Sequence, residues 1–239
     1  MRKRNPSPKR KSSRAKASAA DWELLLAHAA ALQTKVPGAV LVGGSAAALH
    51  ARHRVSFDHD HVLRDLGAGY DRALVALESI AGWRTNRKIR GKLVLGKIGT
   101  IEAGLRNLRR SAPLETTTVE LRSGATLTVP TVAEILRIKA FLLVERNATR
   151  DYLDVAALSH HLGLKRSAEA LREMSTLYGE FAGEGGDMLT SVLVKLAAPD
   201  PVDLEGVDLA EYKGIVPPWN EWPAVVEQCG ALAAQLSAP

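Results

Sequence analysis

The chain has 239 residues, 46% hydrophobic and 24% charged, enough apolar material to bury a core as one large domain or two small ones. Its longest apolar runs, such as Ala39 to Val42 and Phe141 to Val144, are far too short to cross a bilayer, and no charged-then-apolar leader opens it, so a cytoplasmic protein with no membrane partner is expected. A single cysteine, Cys229, excludes an internal disulfide and a thiolate zinc cluster, and the net charge of +6 sits mainly in residues 1–20, which carry eight Lys or Arg and no acid.

That first segment, rich in Ser, Pro, Lys and Arg, reads as a disordered basic tail, either a tether for phosphate backbones or a solubilising extension. Asp21 can cap a helix running to about Thr34, ended by Pro37 and Gly38. A short apolar strand from Ala39 to Val42 leads into Gly43 and Gly44, SAAALHAR restarts as a helix, and a second strand spans Val55 to Leu63. A helix from about Tyr70 to Ile80 precedes candidate strands at 92–98, 116–121 and 125–129. From Arg84 to Arg110, nine Lys or Arg face one acid, Glu102, which favours an anionic substrate. Thr131 and Glu134 fit a capping box at the start of a long helix, followed by helical periodicity at 149–162, 167–181, 186–197 and 222–237, with a Pro-rich loop over 199–221. The expected fold is α/β (α+β): a small mixed-sheet core over 21–130 and an α-helical half over 131–239.

Gly43-Gly44-Ser45, placed between a strand and a helix, lets the backbone approach an anion closely at free helix-start amides, and Ser45 adds a hydroxyl. By itself this is also an ordinary strand-to-helix turn. Alternation along the next strand sends Asp58 and Asp60 to one face, with Cα atoms roughly 6.5 Å apart. Two same-face carboxylates repel unless they share a partner, and oxygen ligands suit Mg²⁺. His50, His53, His59 and His61 could instead form a zinc or other transition-metal site, with polar packing as the plainer alternative. Further on, Lys139 lies in the apolar helix stripe of Ile135, Ile138 and Leu142, where it needs an anionic partner or a route to solvent.

The Gly-Gly-Ser turn, the helix, Arg54, Ser56 and the Asp58-x-Asp60 strand together resemble the DNA-polymerase-β-like nucleotidyltransferase superfamily. KAFLLVERNATRDYLDVAAL further resembles the lysine and aspartate motifs of AbiEii-type nucleotidyltransferases, the toxins of type IV toxin–antitoxin systems, with the similarity running from about residue 39 to 162. This resemblance implies Asp58 and Asp60 as ligands of a two-metal Mg²⁺ site, with a third carboxylate on a neighbouring strand, Glu102 first and Glu120 second. It implies nucleotide binding by Gly43, Gly44, Ser45 and Lys139, with Arg146 and Arg150 as added phosphate contacts. It also implies Asp154, or Asp151, as a late acidic residue needed for activity. His59 and His61 depart from the pattern, standing where the family places apolar core residues.

The implied activity is transfer of a nucleoside monophosphate from an NTP to an acceptor hydroxyl, expected to be a tRNA 3′ end, with a cognate antitoxin protein as a possible partner. Transfer to a small molecule or a protein hydroxyl is the enzymatic alternative, and an RNA- or DNA-binding module on a degenerate transferase fold the non-enzymatic one. The segment DLAEYKGIVPPWNEW carries no assignable chemistry, and its Trp219 and Trp222 read as packing anchors. The active site is expected in the cleft between the two halves.

Overall fold

The computed structural model describes residues 19–181 and 186–238, so the basic tail expected over 1–20 falls almost wholly outside the described residues. Helix α1, Ala19–Lys35, buries Leu25, Leu26, Ala29 and Leu32. It begins before Asp21, which lies in its first turn, where a carboxylate complements the helix dipole, and does not act as its cap. Strand β1, Val40–Val42, runs directly into α2, Gly43–Ala51, whose alanines Ala46, Ala47 and Ala48 allow close packing.

Strand β2 covers only Asp58–Leu63 of the expected 55–63, because residues 53–55 are engaged elsewhere: Val55 N–H donates to the Lys213 carbonyl and Val216 N–H to the His53 carbonyl. Helix α3, Leu66–Glu78, is followed by β3, Trp83–Ile89, β4, Leu93–Ile98, and β5, Ile101–Asn107. These strands form one five-stranded sheet in the order β1-β2-β5-β4-β3, with β2 and β5 parallel and the other neighbours antiparallel. β3 and β5 were not among the candidate strands. β3 is an edge strand whose Arg84, Arg87 and Lys88 blur the apolar alternation, and Gly104 interrupts β5. β6, Thr116–Glu120, and β7, Thr126–Pro130, form a separate antiparallel hairpin.

Helices α1 and α3 cover one sheet face, where Leu32, Val36, Leu66, Tyr70 and Leu77 meet Val94 and Leu105. The carboxyl-terminal half comprises α4, Val132–Glu145, α5, Thr149–Leu162, α6, Leu164–Leu171, α7, Met174–Tyr178, α8, Met188–Ala197, and α9, Trp222–Ser237. The single helix expected over 167–181 is broken into α6, α7 and a 3₁₀ turn. The break falls where Arg137 Nε takes the Ala170 carbonyl at 3.0 Å, removing it from helical pairing. The expected capping box at α4 is half formed. Thr131 accepts from the Glu134 amide at 3.2 Å, but the Glu134 carboxylate turns inward to Arg110 and Arg137, and the Thr131 amide bonds the Glu115 carbonyl. The main core joins both halves, packing Leu41, Ala46 and Ala47 against Ile135, Leu143, Leu153 and Ala157. α2 is thereby clamped between the sheet and α4–α5, so the amino end of α2 opens at the seam of the two halves.

Candidate active site

Asp58 and Asp60 stand on β2 facing away from α1 and α3. Parallel register sets Glu102 beside Asp58 and Gly104 beside Asp60. The missing side chain at 104 is required, because a Cβ there would collide with Asp60 Oδ1. Arg106 Nε approaches the same oxygen at 3.6 Å. Ser56 Oγ donates to Asp58 Oδ1 at 2.7 Å, while Ser45 Oγ donates to the Asp58 carbonyl, tying the turn at the start of α2 to the acidic strand. Burial pushes the Asp60 carboxyl above its ordinary value; Arg106 opposes the shift and the like charge of Asp58 adds to it.

The turn Gly43-Gly44-Ser45 lies against these carboxylates. Gly43 has φ +75°, a conformation glycine adopts without strain, and its α-carbon faces Asp60. A Cβ on Gly44 would meet Arg54 Nη2 at 2.6 Å and Ser56 Oγ at 3.0 Å, so a bare backbone is what admits the Arg54 guanidinium.

Arg54 leads to the second half of the site. Its guanidinium grips Asp154 of α5 in two bonds, Nε to Oδ1 at 2.8 Å and Nη2 to Oδ2 at 3.0 Å. His53 Nε2 lies 2.7 Å from Asp154 Oδ1, and Lys139 Nζ of α4 lies 2.6 Å from Oδ2 and 3.4 Å from Asp151 Oδ1. Arg146 in turn binds Asp151 through Nε and Nη2, the latter at 2.7 Å. Burial alone would raise the Asp154 carboxyl, but Arg54, Lys139 and the His53 hydrogen bond hold it well below the usual carboxylate range. Burial dominates at His53 and lowers its imidazole, so it stays neutral at pH 7. Three permanent cations thus meet two carboxylates, and the surplus positive charge borders Asp60.

The expected residues therefore divide. Gly43, Gly44, Ser45, Asp58 and Asp60 converge at one place; Glu102 stands in register beside Asp58 on the neighbouring strand without its side chain closing a three-carboxylate group, and Glu120 lies on the separate β6–β7 hairpin. Lys139 and Asp154 are buried and bound to each other. Arg150 is exposed and its charge acts on Asp203 and Tyr212.

The four histidines do not assemble: His50 bonds the Pro130 carbonyl, His53 bonds Asp154, and His59 and His61 are wholly buried on the opposite sheet face. Among the described residues no group of three or more His, Cys, Asp or Glu side chains converges to hold a metal. Asp58 and Asp60 offer two carboxylates open on one side, which fits Mg²⁺, an ion commonly bound by one or two carboxylates together with water and substrate phosphates.

The sequence pattern marks Arg106 only as one of the 84–110 basic block and gives Gly104 and the 212–216 segment no role. In the last, Tyr212 lies under Arg54 at 5.9 Å and Lys213 Nζ sits 3.7 Å over the Phe57 ring, bracing the stretch that carries Arg54, Ser56 and Asp58. The glycine interrupting β5 was the one available signal. Trp219 and Trp222 pack against His160 and Tyr152, as expected of anchors.

No family model matches the chain. A 109-residue stretch is 38% identical to the heme uptake protein MmpL11 of Mycobacterium tuberculosis, covering 46% of this chain and 11% of that protein. A 134-residue stretch is 31% identical to the mycolic acid-containing lipids exporter MmpL11 of Mycolicibacterium smegmatis, covering 54% and 13%. The chain thus spans about a tenth of the length of the curated relatives it matches. Among the described residues no helix is long and apolar enough to cross a membrane.

Solved structures are similar over much more of the chain. MenT4, a nucleotidyltransferase toxin of Mycobacterium tuberculosis, superposes with a TM-score of 0.54 at 17% identity over 91% of this chain and 85% of that one. JHP933 of Helicobacter pylori gives 0.52 at 18% identity over 93% of both chains. The antibiotic-resistance factor ANT(2″)-Ia gives 0.52 at 12% identity, over 69% of this chain and 96% of that one. The fold is that of nucleotidyltransferase-like proteins, a mixed α/β core followed by helices.

Proposed function

We propose that the chain is a Mg²⁺-dependent nucleotidyltransferase that moves a nucleoside monophosphate from an NTP to an acceptor hydroxyl. The observation that carries this reading is the pairing of Asp58 and Asp60 on β2 between the Gly43–Ser45 turn and the positively charged Arg54–Lys139–Arg146 cluster. Asp58 and Asp60, with Glu102 in register, would hold the metal, which when bound lowers the pKa of the acceptor hydroxyl and offsets charge on the triphosphate. The turn amides receive the phosphates at the start of α2, while the Ser45 hydroxyl, already donated to the Asp58 carbonyl, holds that turn against the acidic strand. Lys139 and Arg146 bring positive charge toward Asp60 and so favour the anionic substrate. Asp154 acts through Arg54 and Lys139 by fixing where their charges sit. In the transfer, the acceptor oxygen forms a bond to the α-phosphorus, the bond from that phosphorus to the α–β bridging oxygen breaks, pyrophosphate leaves, and the hydroxyl proton passes to solvent.

The finer reading is an AbiEii-type toxin with a tRNA 3′ end as acceptor and a cognate antitoxin protein as partner, acting in the cytoplasm. The fold shared with MenT4 and the motif around Lys139 and Asp154 support it. The test incubates the full chain with Mg²⁺, each labelled triphosphate in turn, and total tRNA. Label should move to RNA and vanish in Asp58→Ala and Asp60→Ala. Absence of transfer to RNA, protein or an aminoglycoside under every triphosphate would sink the catalytic reading in favour of a nucleic-acid-binding module.

A further inference from the structure

The nine basic residues from Arg84 to Arg110 separate once the sheet register is known. Arg90 is paired with Asp71, Arg109 with Glu145, and Arg110 is buried on Glu134. Lys88 pairs in register with Val94, on the face covered by α1 and α3, and Lys92 lies in the β3–β4 turn. The remaining four belong to the other face. One row across the strands reads Asp58, Glu102, Lys97, Arg84; the next reads Asp60, Gly104, Leu95, Arg87; and Arg106 follows one step along β5. Arg84, Arg87 and Arg106 are exposed and Lys97 half-buried, so among the described residues no element is packed over these side chains. Among the described residues Arg84, Arg87 and Lys97 have no ion-pair partner. At about 4.8 Å per strand, the three steps from Asp58 to Arg84 span roughly 14 Å.

We propose that this open face of β3, β4 and β5 is the docking platform for a polyanionic acceptor, a single-stranded nucleic-acid end held by its phosphates with its terminal hydroxyl directed to Asp58 and Asp60. The proposal rests on the nucleotidyltransferase reading and names the surface that would receive its acceptor. A cationic acceptor such as an aminoglycoside would be repelled by the three unpaired cations Arg84, Arg87 and Lys97 on the approach. The face carries no aromatic ring for base stacking, so it grips the backbone: binding is sequence-tolerant and falls steeply with salt. Placing the unpaired cations on the carboxylate face, with the paired and reverse-face ones excluded, is what separates a platform from a generally basic surface.

The experiment measures fluorescence anisotropy of a labelled single-stranded RNA with a free 3′ hydroxyl, binding to the full chain without triphosphate over a salt series. Two variants remove equal charge: Arg84→Ala with Arg87→Ala, and Lys88→Ala with Lys92→Ala. The first pair should weaken binding about tenfold or more at low salt and reduce the log–log salt slope by about 1.4, at about 0.7 for each phosphate left unneutralised. The second should stay within about twofold. In transfer assays the first pair should raise the KM for RNA and leave that for the triphosphate unchanged. Equal weakening in both pairs, or none in either, would overturn the platform. If transfer never occurs but the affinity pattern holds, the catalytic reading falls and the platform stands; if transfer occurs and the pattern is absent, the platform alone falls.

Discussion

Asp154→Ala should destabilise the fold by about 3–5 kcal/mol at pH 7, the usual cost of removing one member of a buried ion pair. The magnitude follows from what remains behind. Asp154 is wholly enclosed and receives Arg54 at 2.8 and 3.0 Å, Lys139 at 2.6 Å and His53 at 2.7 Å. Without it, Arg54, with its side chain 8% exposed, loses its carboxylate hydrogen bonds and keeps the Tyr212 ring at 5.9 Å, while Lys139, 2% exposed, keeps the longer 3.4 Å approach to Asp151. Urea denaturation of the variant against the parent reads the loss directly. Asp154→Asn, which keeps the shape and one acceptor oxygen, should lose less, and transfer activity should follow the same order because Asp154 positions Arg54. Since the Asp154 carboxyl is held well below its ordinary value of 3.8, its stabilisation is present at neutral pH and is lost as pH falls through and below that value. A loss under about 1 kcal/mol for Asp154→Ala would refute the reasoning, because that is the scale of a solvent-screened surface pair.

Three further outcomes are expected. Burial lowers the His59 imidazole from 6.5 to about 4, so between those values the unfolded chain binds a proton that the fold does not, and stability falls on acidification by about 3 kcal/mol. His59→Leu should therefore show a shallower loss of melting temperature between pH 7 and pH 4.5, and an identical profile would mean that His59 is solvated in the fold. Gly104→Ala forces a methyl onto Asp60 Oδ1 and should cut transfer at least about tenfold while the circular dichroism spectrum is kept; unchanged turnover would show that the Asp60 position is not demanding. Glu102→Gln should reduce transfer and raise the Mg²⁺ concentration needed for half-maximal rate, and a superimposable Mg²⁺ titration would remove Glu102 from the proposed ligand set.

The elements with strong local signals were legible in the sequence. Residues 149–162 and 222–237 form helices as read, and β4, β6 and β7 lie within a residue or two of their expected spans. Asp58 and Asp60 share a face because alternation is a local property. Long-range pairing was not legible. β3 and β5 exist because of their neighbours in the sheet, and the carboxylate face gains Gly104 and Arg106 only through the parallel register of β2 with β5. Lys139 did need an anionic partner, but that partner is Asp154 inside the protein, bound also by Arg54 from about 100 residues away. His59 and His61, where apolar residues were expected, are accommodated as neutral rings 5.4 Å apart, edge to face.

The short brace between residues 212–216 and 53–55 bears on when the molecule becomes competent. Its two backbone bonds join positions about 160 residues apart, and the stretch they align carries Arg54, Ser56 and the approach to Asp58. Contacts of such long sequence separation form late, after loop closure across most of the chain. During synthesis the sheet and the Gly-Gly-Ser turn emerge first, but the acidic strand is not held in its final alignment until the loop before α9 has left the ribosome. A chain truncated ahead of Tyr212 would keep every residue proposed for phosphate or metal, yet lose the splint that sets them in line together with the core side chains Val225, Cys229 and Leu232 of α9.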